Sequence, residues 1–371
     1  MERVIAEYWQ HLQDDFAVAH PQKKFFNDYD ETLPYLQKLE EFLTAEHAKH
    51  PTDVDVACYL ASARLACRFD EEHCIKLLES FVSDNDAVLS DGDRARIFTN
   101  LGFYADDDQR RKHYLHEVAD VGSPFVQTYK GLGLAYFSSC VDGGVSEDIT
   151  QSIHAFERAM TICGDYEYAF GYAVALFQGK RFAEAVEVFE GLLAAHPDRP
   201  RLVLALAYCQ IYLGNRELAL DYLNRVHEGE AEPNQLNSDD VDAIEIINAH
   251  YVLEEYEHFV DACDEVLEEY SYSDWDHYFY ALWVTGRTER FERTVQACRD
   301  EILQAIAEAQ KDEDFEDEAE RQEYINSCTA DLQALEARVR RIQEEQSAPV
   351  LDLTLYPEYS CFLIDCVRHT L

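Results

Sequence analysis

Two residues recur at a fixed interval in the middle of the chain: Ala219 and Leu223 follow Ala185 and Phe189 by 34 residues. The interval lies in residues 166–233, where apolar positions keep a spacing of three and four. Ala169, Tyr172, Ala173, Leu176 and Phe177 mark one helix, and Gln178, Gly179 and Lys180 interrupt it. A second helix from Phe182 carries Ala185, Val188, Phe189, Leu192 and Leu193, and stops at His196 and Pro197 because proline cannot extend it. Residues 202–212 and 218–226 repeat the plan around a break at Gly214 and Asn215. Ala173 with Ala185, and Ala207 with Ala219, are small where paired axes would cross, so the helices can approach closely. A hairpin of this kind cannot bury its apolar face alone, and at least three must stack.

The small residues, the aromatic and the closing proline of residues 166–199 resemble the tetratricopeptide repeat. Upstream, Tyr129, Gly133 and Tyr136, then Phe156 and Ala159, look like the same hairpin. Its longer turn, Val141-Asp142-Gly143-Gly144-Val145, resembles the Sel1-like variant. Downstream the helical spacing persists, with Phe259 and Phe291 where the family has a small residue. The resemblance implies an all-α fold: a right-handed α-α superhelix, a TPR-like solenoid, with a C-terminal long helical hairpin and a capping tail.

Three segments are expected. Residues 1–83 read as an N-terminal helical bundle of degenerate hairpins, with Val4, Ile5, Tyr8, Trp9, Leu12 and Phe16 along the first helix and Asp53 placed to cap the helix from Val54. A polar seam at 83–93 leads into the repeat array of residues 94–300, which is interrupted by an extended loop at 228–240. In residues 301–371, Tyr324, Cys328, Leu332, Leu335, Val339 and Ile342 form a coiled-coil-like seam. The seam is open to packing on the array or to meeting another chain. Leu351, Leu353 and Leu355 then alternate with polar residues. Tyr359, Phe362, Leu363 and Cys366 have helical spacing and would cover an end of the solenoid.

Charge narrows the partners. Against 31 basic residues stand 74 acidic ones, a formal charge of −43, which disfavours nucleic-acid phosphates and anionic lipid and favours a basic protein or peptide. No apolar run has the length needed to span a bilayer. Eleven cysteines without paired spacing, and a start with no secretory leader, point to a reducing, cytoplasmic setting.

Catalytic and cofactor signals are weak. No phosphate-binding glycine loop is present, and the glycines of Gly131-x-Gly133 fall in a helix where they serve close packing. His47, His50 and His73 with Cys58, Cys67 and Cys74 lack a Cys-x-x-Cys pair, so no metal site and no cofactor is expected. The acidic run 312–320 lacks the spaced ligands of a calcium loop. His113 and His116 have no nucleophile signature beside them, and the chain is expected not to be an enzyme.

The inner face of stacked hairpins is more informative. Its first helices would present Phe137, Phe177, Tyr208, Tyr212, Asn248, Tyr251, Tyr280 and Trp283, a groove suited to an extended peptide or a partner helix, unless the rings pack between repeats. The family's carboxylate-clamp repeats use lysine and asparagine there, and Lys130 stands without matching partners. The resulting expectation is a protein-interaction scaffold. Two alternatives remain open: an immunity protein or inhibitor that sequesters a basic toxin or nuclease, and a peptide-responsive regulator with phosphatase-like activity.

Overall fold

The computed structural model describes residues 1–141, 143, 146–228, 241–266, 276–311, 315 and 317–369. Most of the turn at 141–145, the loop at 229–240 and most of the acidic run at 312–316 lie outside the described residues. Among the described residues there are seventeen helices and no strand, so the all-α solenoid class expected from the sequence holds.

The chain divides into two compact units, Met1–Val188 with Tyr356–Leu371, and Phe189–Leu355. The first contains α1 (Glu2–Ala19), α2 (Tyr29–Lys49), α3 (Val54–Arg68), α4 (Glu71–Asn85), α5 (Asp91–Tyr104), α6 (Asp108–Ala119), α7 (Val126–Val141), α8 (Ser146–Ile162), α9 (Tyr166–Gln178) and the start of α10 (Phe182–Ala195). The side chains of Asp28, Asp53, Asp70, Ser90 and Asp107 each accept an amide hydrogen from the first turn of the helix that follows, which satisfies donors the helix itself cannot. Ile5, Trp9, Leu12 and Phe16 of α1 are buried with Leu36, Leu39 and Leu43 of α2, while Val4 faces solvent. Ala173 and Ala185 are both fully buried, as close helix crossings require.

Two glycines, one on α7 and one on α9, fix how this unit packs. A Cβ on Gly133 would lie 2.7 Å from the Phe156 ring, and one on Gly171 of α9 would lie 2.6 Å from the same ring, so Phe156 of α8 is wedged between two bare backbones. The close-packing role expected of Gly131 and Gly133 is what the structure shows. Consecutive helices pair, and the first helices of neighbouring pairs also touch: α1 with α3, α3 with α5, α5 with α7, and α7 with α9.

The second unit contains α11 (Pro200–Tyr212), α12 (Arg216–Glu228), α13 (Ala243–Val252), α14 (Tyr256–Val266), α15 (Asp276–Val284), α16 (Thr288–Ala309) and α17 (Glu318–Glu345). Its first helices end in one recurring turn. The N–H groups of Gly214 and Asn215 close back on the carbonyls of Ile211 and Gln210. Glu254 and Glu255 do the same to Tyr251 and His250, and Gly286 and Arg287 to Trp283 and Leu282. Gly214, Glu254 and Gly286 each take a positive φ, between 60° and 77°. This is the left-handed C-terminal cap, and it reverses the chain within two residues. Phe259 and Phe291, which replace the family's small residue, are buried with Tyr278, Phe279 and Leu282. The seam of α17 packs within its own unit: Leu335 and Ile342 join that core, and Arg338 and Arg341 pair with Asp276 of α15.

The last segment departs from expectation. Residues 347–363 have no regular secondary structure, and only turns follow, so the helical spacing of Tyr359, Phe362, Leu363 and Cys366 does not make a helix. Side chains of other helices take the backbone donors that a helix would have paired internally.

Candidate functional site

In the second unit, the extended stretch after α17 lies against first helices. His277 of α15 donates to the Val350 carbonyl at 3.1 Å, and Tyr251 of α13 donates to the Pro349 carbonyl at 3.0 Å. The Leu353 N–H donates to the Tyr212 hydroxyl of α11 at 2.8 Å. Leu353 and Leu355 are buried. Thus three helices in succession each hold one backbone group of an extended chain.

The first unit treats residues 356–369 in the same way. Lys130 of α7 donates to the hydroxyl of Ser360 and to Glu167. The Ile364 N–H donates to Asn100 Oδ1 of α5 at 3.0 Å, and the Val367 N–H donates to Ser62 Oγ of α3 at 3.0 Å. Phe362 sits where a Cβ on Gly131 would come within 2.7 Å of it, and its ring meets Phe103 edge-on at 5.2 Å. The absence of a side chain at Gly131 therefore makes room for the segment.

The anchor of this stretch is Asp365, which is 1% exposed. Arg96 Nε donates to both of its carboxylate oxygens at 3.0 Å, Nη2 adds a third contact, and Asn100 Nδ2 donates at 2.6 Å. Arg96 also reaches Asp55 at 2.7 Å through Nη1. A guanidinium fork on a carboxylate in a dry setting is a strong and directional contact. The segment expected to cover an end of the solenoid lies instead across α3, α5 and α7.

The eight aromatic and polar positions expected to line the groove divide by environment. Phe137 is fully buried and meets Tyr356 at 6.3 Å, and Tyr212 and Tyr251 bond the extended segment as described. Phe177 packs edge-on against Phe182, Tyr208 donates to the Glu245 carbonyl at 2.8 Å, Tyr280 packs against Tyr256, and Trp283 packs against Phe291. Asn248 is half-buried on α13. Sequence reasoning missed Ser62, Arg96, Asn100 and His277. For two of them a signal existed: Arg96 and Asn100 lie one helical turn apart on the helix that carries Asn100-Leu101-Gly102.

Other candidates resolve less. His116 meets the Tyr136 hydroxyl at 2.6 Å and Asp120 at 3.4 Å, and His113 is exposed beside Tyr114. Cys58 and Cys74 are buried core thiols, and Cys74 donates to the Ala61 carbonyl. Burial holds the His47 imidazole below its ordinary pKa. At the end of the extended segment, Cys361 receives a hydrogen bond from Cys366, which holds its thiol down to about 6 and pushes that of Cys366 up.

Residues 176–236 match the model of the tetratricopeptide repeat family. That stretch carries the tetratricopeptide repeat pattern. The match takes in the hairpin turns at Lys180 and Gly214, where the left-handed cap recurs after 34 residues. Among curated proteins none matches the chain in sequence. Among solved structures the chain is similar to yeast Tom70, at 13% identity and a TM-score of 0.41, over 85% of this chain and 63% of that one. It therefore spans less than two thirds of the Tom70 chain. It is also similar to the MamA protein, at 15% identity and a TM-score of 0.29 over 61% of this chain and 93% of that one. A third likeness is to the P58(IPK) TPR domain, at 12% identity and 0.26 over 88% and 98%. Among the described residues no helix is long and apolar enough to cross a membrane.

Proposed function

We propose that this tetratricopeptide protein is a non-catalytic scaffold that binds another protein through its first-helix faces, which take an extended chain, and that its own C-terminal segment is a built-in occupant of those faces. One observation supports the reading above others: side chains from successive first helices bond the backbone of that segment, at Val350, Pro349 and Leu353 in one unit and at Ile364 and Val367 in the other. Contacts to backbone groups tolerate many sequences, whereas the pocket at Arg96 and Asn100 asks for a carboxylate.

The partner is basic or mixed in charge. The formal charge of −43 draws cations to the surface from a distance, and the carboxylate pocket selects locally. A sequestering inhibitor of a basic toxin or nuclease is the special case in which the whole partner is basic, and the same charge supports it.

A labelled peptide spanning residues 350–369, titrated into the full-length chain, tests the reading. The tethered segment outcompetes the free peptide in the wild type because linkage raises its effective concentration. Asp365→Ala removes the tethered carboxylate but not the peptide's, so the peptide is expected to bind this variant about tenfold more tightly or better, a difference of about 1.4 kcal/mol. Equal, weak binding to both chains would remove the first-helix face as a binding site.

A further inference from the structure

Among the described residues, one group of three metal-ligating side chains converges, and it lies in the segment that the repeats hold. Cys361, Cys366 and His369 place one ligand atom each within 4.8 Å of one another. The spacing is Cys-x4-Cys-x2-His. A turn closed by the His369 N–H on the Cys366 carbonyl at 3.0 Å turns the last two toward the same side. Cys366 is buried, Cys361 half-buried and His369 exposed, so the set has a dry thiol side and an open imidazole side.

We propose that Cys361, Cys366 and His369 bind one Zn²⁺ ion. Zinc takes thiolate sulfur at about 2.3 Å and imidazole nitrogen at about 2.0 Å in a tetrahedron, which sets neighbouring ligand atoms about 3.5 Å apart. The observed spread exceeds this by about 1 Å, within reach of side-chain rotation at an exposed histidine. Two thiolates and an imidazole suit a borderline-soft ion and disfavour magnesium or calcium, which take oxygen ligands. A cavity of about 610 Å³ borders all three residues and also carries the carboxylates of Glu71 and Asp106, so water has access to the fourth position.

The consequence is a metal-set shape for the seated segment. Leu363, Asp365 and Val367, which are buried against the first unit, lie between the ligands in sequence. An ion that closes residues 361–369 into one turn favours the form in which those side chains are seated, and binding to that form stabilises it by mass action.

Cobalt(II) titration of the reduced full-length chain reads this directly, because cobalt replaces zinc and absorbs when bound by thiolate. One equivalent is expected, with a thiolate-to-cobalt charge-transfer band and tetrahedral ligand-field bands, both abolished by zinc. Cys361→Ser and His369→Gln are each expected to weaken binding at least about tenfold. Cys163→Ser, at a thiol outside the group, is expected to leave it unchanged. Hydrogen exchange of residues 361–369 is expected to slow on adding zinc and recover with a chelator, which supplies a readout should Cys366→Ser fail to fold. No thiolate band after reduction would overturn the proposal, as would a band that survives both Cys361→Ser and His369→Gln. Isolation of Cys361 and Cys366 as a disulfide pair that takes up no metal when reduced would also overturn it.

Discussion

Arg96 holds together parts of the chain that no local pattern connects. Its guanidinium bonds Asp365, 269 residues away, and Asp55, 41 residues away. Burial pushes the Asp55 carboxyl up, but hydrogen bonds from Arg96 and the Met1 amino group outweigh it, and the net pKa lies below the ordinary 3.8. A carboxyl whose folded pKa is depressed stabilises the fold above its unfolded pKa and loses that contribution as pH falls through the folded value. Chemical unfolding of the full chain from about pH 5 to about pH 3 is therefore expected to show falling stability, with a shallower slope in Asp55→Asn. An unchanged slope would show that other groups carry the acid sensitivity. Arg96 and Asn100 stand one helical turn apart, a spacing the sequence can show, whereas Asp365 was one of 74 acidic residues and carried no signal of its own. Abundance hid it: only the fold shows which carboxylate is buried.

Helices and turns were more readable because their causes are local. The apolar spacing that starts α9 and α11, the proline that stops α10, and the aspartate at position 53 each act within one or two turns of chain. The left-handed cap was signalled at Gly214 and hidden at Glu254, where a residue with a Cβ accepts the same φ. The wedge of Phe156 between Gly133 and Gly171 gives this packing a test. Adding one methyl in Gly133→Ala forces the ring toward a neighbour that leaves it no retreat. Overpacking of this kind costs about 1–3 kcal/mol, partly offset by alanine's better helix propensity. A net loss of about 1–2 kcal/mol in denaturant unfolding is expected. A stabilised variant would show that the ring has room to move. The C-terminal segment was misread for the opposite reason. Its apolar residues have helix-like intervals, but Asn100 and Ser62 accept the Ile364 and Val367 amides, and partners that distant leave no periodicity to read.

On the proposed reading, recognition by this molecule has two tiers. The acid field acts at long range and falls with salt, while first-helix side chains act at contact on a chain laid across them. The sequence revealed the first tier through its charge and the second only in outline. It placed Tyr212 and Tyr251 on the inner helices but gave no means of knowing that the chain's own residues would meet them. Everything about the proposed binding mode rests on extended backbone being held by Tyr212, Asn100 and Ser62. Amide exchange resolved at Leu353, Ile364 and Val367 in the full-length chain tests this most directly. Exchange at all three is expected to be slower than in the isolated peptide by about tenfold or more, with protection at Ile364 and Val367 reduced in Asp365→Ala. Exchange at the rate of the free peptide would mean that the first-helix faces do not hold the segment, and the scaffold reading would lose its physical basis.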